Sequence, residues 1–172
     1  MGREYVLATI HRAENTDDRE RLYNIFSALR EIDREIKVVI PLHPRTRKML
    51  LQFGQEDQLK GLMVIGPVGF LDMLSLEKNA KLIATDSGGI QKEAYFQRVP
   101  CVTLRDETEW VETVEARWNK VVNVDSIEGI LTAVRTSLTF SGERLPIYEY
   151  GDGRASEKIV STIESYLNDP TK

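Results

Sequence analysis

The segment LIATDSGGIQKEA, residues 82–94, runs from an apolar strand-like stretch through Asp86, Ser87, Gly88 and Gly89 into a helical pattern. A helix that opens on glycine offers an anion bare backbone N–H groups, which have no partner within the helix and are reinforced by its dipole. Gly88 and Gly89 carry no Cβ, so a ligand can approach the chain closely there. The same residues also suit a plain turn in which Asp86 or Ser87 caps the helix. Glu93, further along that helix, is either an acceptor for hydroxyl groups or a residue facing water.

Other residues with chemical potential stand at similar junctions. Both histidines follow strand-like runs directly, His11 after YVLATI and His43 after KVVIPL. Arg12 adjoins His11, Gly66 and Pro67 follow LMVI, and Arg105 follows CVTL. Taken singly, each has an ordinary structural reading: a hydrogen-bonded histidine, or charges such as Arg45, Arg47 and Lys48 on a solvated face. Gathered on one edge of a sheet they form a site for an anionic ligand, and a phosphorylated small molecule is the leading class.

The elements that must position these residues alternate along the chain. Strand-like runs are YVLATI, KVVIPL, LMVIGP, KLIAT, CVTL and VVNV. Between them, Leu22, Ile25, Phe26, Leu29 and Ile32 recur at helical spacing, and shorter helices are expected over residues 44–51, 70–76, 89–96 and 109–116. Ser126 is placed to cap a helix running through Val134. After a loop over residues 139–153, a last helix gathers Ile159, Val160, Ile163, Tyr166 and Leu167 on one face. Apolar strands separated by helices imply an α/β fold, a doubly wound parallel sheet of Rossmann-like type. Ligands of such sheets lie beyond the carboxyl ends of the strands, where all these junctions fall.

Composition narrows the partners. The 172 residues, 41% hydrophobic, suit one domain spanning residues 1–172, and the net charge of −4 argues against nucleic acid. No apolar run approaches the ~20 residues of a membrane span and MGREYV lacks a signal-peptide core, so a cytoplasmic, non-membrane protein is expected. Cys101, the single cysteine, sits in an apolar run and is expected in the core. No dinucleotide fingerprint, P-loop or metal-ligand spacing occurs, so neither a cofactor nor a metal is expected. A nucleoside diphosphate held by a helix N-terminus remains.

The ordered set HRAEN, PLHPR, GPVGFLDML, TDSGGIQKEA, LRDETEW and YGDGRASEKI resembles the second half of the non-hydrolysing UDP-N-acetylglucosamine 2-epimerases, over nearly the whole chain. That resemblance implies the C-terminal, nucleotide-binding domain of a two-domain enzyme of GT-B-like architecture, with the N-terminal domain absent and MGREYV marking a domain boundary. It implies UDP and UDP-N-acetylglucosamine as ligands. Ser87, Gly88 and Gly89 would take the diphosphate and Glu93 the ribose hydroxyls. Val68, Phe70 and Met73 would take uracil. His11 would stand beside the phosphates and reacting sugar, flanked by Arg12 and Glu14, with His43 near the cleft. The implied chemistry is elimination of UDP and its re-addition to give the C2 epimer, with the proton-transferring carboxylates in the absent half. A homodimer is among the assemblies this reading admits.

One departure stands out. Family members read RDTTERPE where this chain reads RDETEWVE, so Trp110 replaces a phosphate-contacting arginine and Arg105 or Arg12 is left to compensate. The donor-binding half of a GT-B glycosyltransferase and a free-standing nucleotide-sugar binding module are the alternative readings.

Overall fold

Strand-length runs of aliphatic residues can lie fully buried only when helices cover a sheet on both faces. The computed structural model, which describes residues 5–168, has this arrangement. In chain order the elements are β1 (Tyr5–Thr9), α1 (Ala13–Thr16), α2 (Arg19–Asp33), β2 (Lys37–Pro41), α3 (Pro44–Gln52), a 3-10 turn (Glu56–Leu59), β3 (Met63–Ile65) and α4 (Phe70–Asn79). There follow β4 (Leu82–Thr85), α5 (Gly88–Phe96), β5 (Cys101–Leu104), α6 (Val111–Glu115), β6 (Asn119–Val122), α7 (Ile127–Thr139) and α8 (Ala155–Leu167). The residues of MGREYV read as a boundary, 1–4, lie outside the described residues.

The six strands are parallel and ordered β3-β2-β1-β4-β5-β6. The winding reverses between β1 and β4, which makes their carboxyl ends the switch point of the sheet. There Thr9 pairs with Thr85, and their hydroxyls hydrogen bond at 2.6 Å. The chain segments leaving β1 and β4 therefore start side by side.

Successive strand residues face opposite sides, so β1 sends Val6 and Ala8 into one core and Leu7 into the other. The larger core joins the sheet to α2 and α7 through Leu22, Ile25, Phe26, Leu29, Ile130 and Val134. The smaller joins it to α5 through Ile83, Ile90, Ala94 and Cys101. Cys101 is buried as expected, and burial pushes its thiol up to about 12, which makes it a poor nucleophile.

Several boundaries differ from the sequence reading. α7 continues to Thr139 because no breaker follows Val134 and the hydroxyls of Thr136 and Thr139 bond back to the carbonyls of Thr132 and Arg135. β6 begins at Asn119, two residues before VVNV, because the Asn119 amide oxygen accepts from Thr103 on the neighbouring strand. α4 runs on to Asn79. The apolar stripe of α8 forms as the periodicity predicts, yet its five residues stay 52–74% exposed. Among the described residues no helix is long and apolar enough to cross a membrane.

Two helix starts contrast. Asp18 accepts from the N–H groups of Glu20 and Arg21 at 2.8 and 2.9 Å and caps α2, whereas Ser87, in the capping position of α5, makes no side-chain cap bond. Asp18→Ala is expected to cost about 1 kcal/mol in urea unfolding, and Ser87→Ala less than about 0.5 kcal/mol. Equal losses would mean that Ser87 does cap α5.

Candidate functional site

Asp86 leaves β4 at the switch point and is fully buried. Its carboxylate accepts the backbone N–H of His11 at 3.1 Å to each oxygen, the N–H of Arg12 at 3.0 Å and the side-chain amide of Asn15 at 3.2 Å. Asn15 also donates to the Leu104 carbonyl at 3.0 Å, and its oxygen accepts from Arg21. One buried anion thus ties together the ends of β1, β4 and β5. The cap reading of Asp86 is corrected here: it caps the turn carrying HRAEN, and the first turn of α5 is left open.

His11 Nδ1 lies 3.5 Å from Asp86 Oδ1, so the carboxylate favours a proton on that nitrogen. His43 is the reverse. It caps α3, its Nδ1 accepting the N–H of Arg45 at 3.1 Å, so its Nε2 carries the proton. The two rings stand 5.6 Å apart, tilted by 37°. Beside them is a pocket of about 270 Å³, lined by both histidines and by Pro67, Val68, Met73 and Ile90. Phe70, 67% exposed at the start of α4, stands outside that lining. Arg45 pairs with Asp17 and Thr16, a structural role.

The open end of α5 is surrounded by charge. A Cβ on Gly88 would meet Trp110 Nε1 at 3.6 Å, Glu109 Oε2 at 3.7 Å and Arg12 Nη2 at 3.9 Å, while Gly89 is exposed. Glu109 bridges Arg12 at 3.3 Å and Arg105 at 2.7 Å. The Arg105 hydrogen bond, aided by Arg12, holds the Glu109 carboxyl down at about 2. Arg105 is 5% exposed, and its Nε meets no acceptor. Both arginines named from the sequence therefore reach this place, already holding a carboxylate that the sequence reading did not single out.

Behind the site, buried Gln91 donates to the Ser87 carbonyl and accepts from Thr108 and from Asn119. This lashes α5 to the loop carrying Glu109 and Trp110. Gln91 also escaped the sequence reading, although a glutamine one turn into a helix beside Ile90 and Ala94 was the available signal. Glu93, on the same helix, faces Glu77 of α4. Glu77 is fully buried, neither of its oxygens meets a donor, and burial first, then Glu93, pushes its carboxyl up to about 8.

Sheet order defines a class, the doubly wound α/β domains, in which the crevice at the β1/β4 switch point is the usual place for a ligand. The family model described as UDP-N-acetylglucosamine 2-epimerase matches residues 1–164, and the chain belongs to that family. It is 47% identical over 169 residues to a UDP-N-acetylglucosamine 2-epimerase homolog of Methanococcus maripaludis, covering 95% of this chain and 45% of that protein. It is 44% identical over 163 residues to a UDP-2,3-diacetamido-2,3-dideoxy-D-glucuronate 2-epimerase of Pseudomonas aeruginosa, covering 92% and 44%. The structure of the Methanocaldococcus jannaschii UDP-GlcNAc 2-epimerase in complex with UDP-GlcNAc and UDP superposes with a TM-score of 0.82 at 44% identity, over 93% of this chain and 45% of that one. The chain spans somewhat under half the length of these relatives.

Glu77 gives a test of the carboxyl pair. The unfolded chain sheds this proton near 4.5 and the folded chain only near 8, so the carboxyl lowers stability progressively as pH rises through that interval. Glu77→Gln is expected to match wild type near pH 4 and to exceed it by more than about 1 kcal/mol at pH 8 in urea unfolding. A constant difference between the two pH values would mean that Glu77 is ionised in the folded protein.

Proposed function

We propose that this chain is the UDP-binding, C-terminal half of a UDP-N-acetylglucosamine 2-epimerase, acting with an N-terminal half in the interconversion of UDP-N-acetylglucosamine and its C2 epimer. The observation that carries the reading is the uncapped start of α5 at the switch point, overhung by Arg12 and Arg105, with Glu93 further along the same helix. The relative solved with UDP-GlcNAc and UDP supports it. In this reading the diphosphate accepts from the N–H groups around Ser87, Gly88 and Gly89, and Glu93 accepts from the ribose hydroxyls. Uracil lies toward Val68, Phe70 and Met73.

Elimination breaks the bond between the sugar and UDP, and negative charge grows on the departing phosphate. Donors already fixed around that phosphate lower the barrier without reorganising during reaction. Arg12, Arg105 and the α5 dipole supply them here, with His11 and His43 on the adjoining rim. Proton removal and return at C2 fall to the other half, which also closes the cleft against water. The sugar could equally carry the diacetamido-glucuronate pattern named for the Pseudomonas relative, since this half would grip the same nucleotide. A cytoplasmic location belongs to the same proposal.

Calorimetry tests the nucleotide site. The 172-residue chain is expected to bind UDP more tightly than ADP or GDP, and Glu93→Ala to weaken UDP by roughly 10- to 150-fold, the range for a hydrogen bond to a charged group. Alone it should put no deuterium at C2 of either UDP-sugar in heavy water. Joined to the N-terminal half it should, and there His11→Ala should lower turnover more than UDP affinity. Unchanged UDP binding in Glu93→Ala would remove Glu93 from the site, and exchange by the chain alone would place the base in this half.

A further inference from the structure

Trp110 stands where the resemblance places an arginine, and its ring makes two contacts with α5. The indole N–H donates to the Gly88 carbonyl at 2.8 Å, and the Lys92 ammonium lies 3.9 Å from the centroid of the ring. Gly88 and Lys92 are four residues apart on α5 and share a face, so one ring covers both. The residue's backbone is held as well. The Trp110 N–H donates to Thr108 at 3.1 Å, its carbonyl accepts from the Thr113 hydroxyl at 2.6 Å, and Thr108 is tied to buried Gln91. That network fixes the backbone from which the ring projects, and the bond to the Gly88 carbonyl fixes the ring.

Charge balance points the same way. Arg12 and Arg105 both pair with Glu109, so these three groups leave a single net positive charge beside Gly88. The diphosphate of a nucleotide sugar carries roughly two negative charges and gains about one more on departure, so one further cation is called for. Lys92 forms no ion pair among the described residues, and its ammonium is held by the π face alone. A cation–π contact restrains an ammonium without neutralising it.

We propose, resting on the UDP reading above, that Lys92 is the cation that contacts the leaving diphosphate in place of the missing arginine. Trp110 is its positioning residue, fixing the ammonium through the ring and the first turn of α5 through the indole N–H. This makes Lys92 a discriminator of phosphate number and leaves recognition of uridine to other groups.

The test is calorimetry of the 172-residue chain with UDP, UMP and uridine at two salt concentrations. Lys92→Met is expected to weaken UDP by about 10-fold, UMP by less and uridine not at all, and to flatten the salt dependence of UDP binding. Trp110→Leu should weaken UDP similarly, and the double variant Lys92→Met/Trp110→Leu should be little worse than either single one. Lys92→Met/Trp110→Arg should restore UDP affinity to within about 3-fold of wild type, because the guanidinium supplies the charge directly. Lys92→Met binding UDP like wild type, or losing UDP and uridine equally, overturns the proposal. Failure of the wild-type chain to bind UDP would overturn the underlying reading as well, which separates the two.

Discussion

The arrangement depends first on the buried carboxylate of Asp86. A charge without access to water is tolerable only when fully engaged, and Asp86 is engaged by the N–H groups of His11 and Arg12 and by the Asn15 amide. Those partners come from the segment leaving β1, so one ion fixes how two strands end at the switch point. Because this carboxylate turns toward β1, it is not spent on α5, and the first-turn N–H groups of that helix stay available. The His11 ring lies against the same group, Nδ1 at 3.5 Å from Oδ1.

A second consequence is electrostatic. The cations around Gly88 do not wait in water for a ligand: Glu109 holds Arg12 and Arg105 in position, and Trp110 holds Lys92. Preorganisation of this kind matters most where charge develops during reaction, because side chains already fixed need not reorient. Glu109 is half exposed, so its ion pairs add little to stability, and their weight falls on geometry. Glu77 is the opposite case, a buried carboxyl kept near Glu93 at a cost to the fold.

Much of this was legible in the sequence, for physical reasons. Strands of a parallel sheet are buried on both faces and appear as unbroken apolar runs, so β1, β2, β4 and β5 could be read from residue types alone. The residues at their carboxyl ends were legible too, because glycine, serine and histidine directly after a strand are local signals. Long-range pairing was not. Glu109 reaches Arg12 across 97 positions, Gln91 meets Asn119 across 28, and Glu77 meets Glu93 only because α4 and α5 pack together. Asp86 looked like a helix cap because its partner, the turn after β1, lies 75 residues away. The exposed stripe of α8 is the reverse lesson: periodicity fixed which residues share a face and said nothing of what covers it.

The central claim is that a uridine diphosphate sits over the open end of α5, between the ends of β1 and β4. Backbone and indole N–H resonances of the 172-residue chain, followed by heteronuclear NMR as UDP is added, test it most directly. The account predicts the largest shifts at His11, Arg12, Gly88, Gly89 and Ile90 and at the Trp110 indole N–H, with Asp18 and Gly129 at other helix starts unmoved. Shifts centred instead on the groove lined by Pro100, Trp118, Phe140 and Arg144, with Gly88 and Gly89 silent, would contradict it.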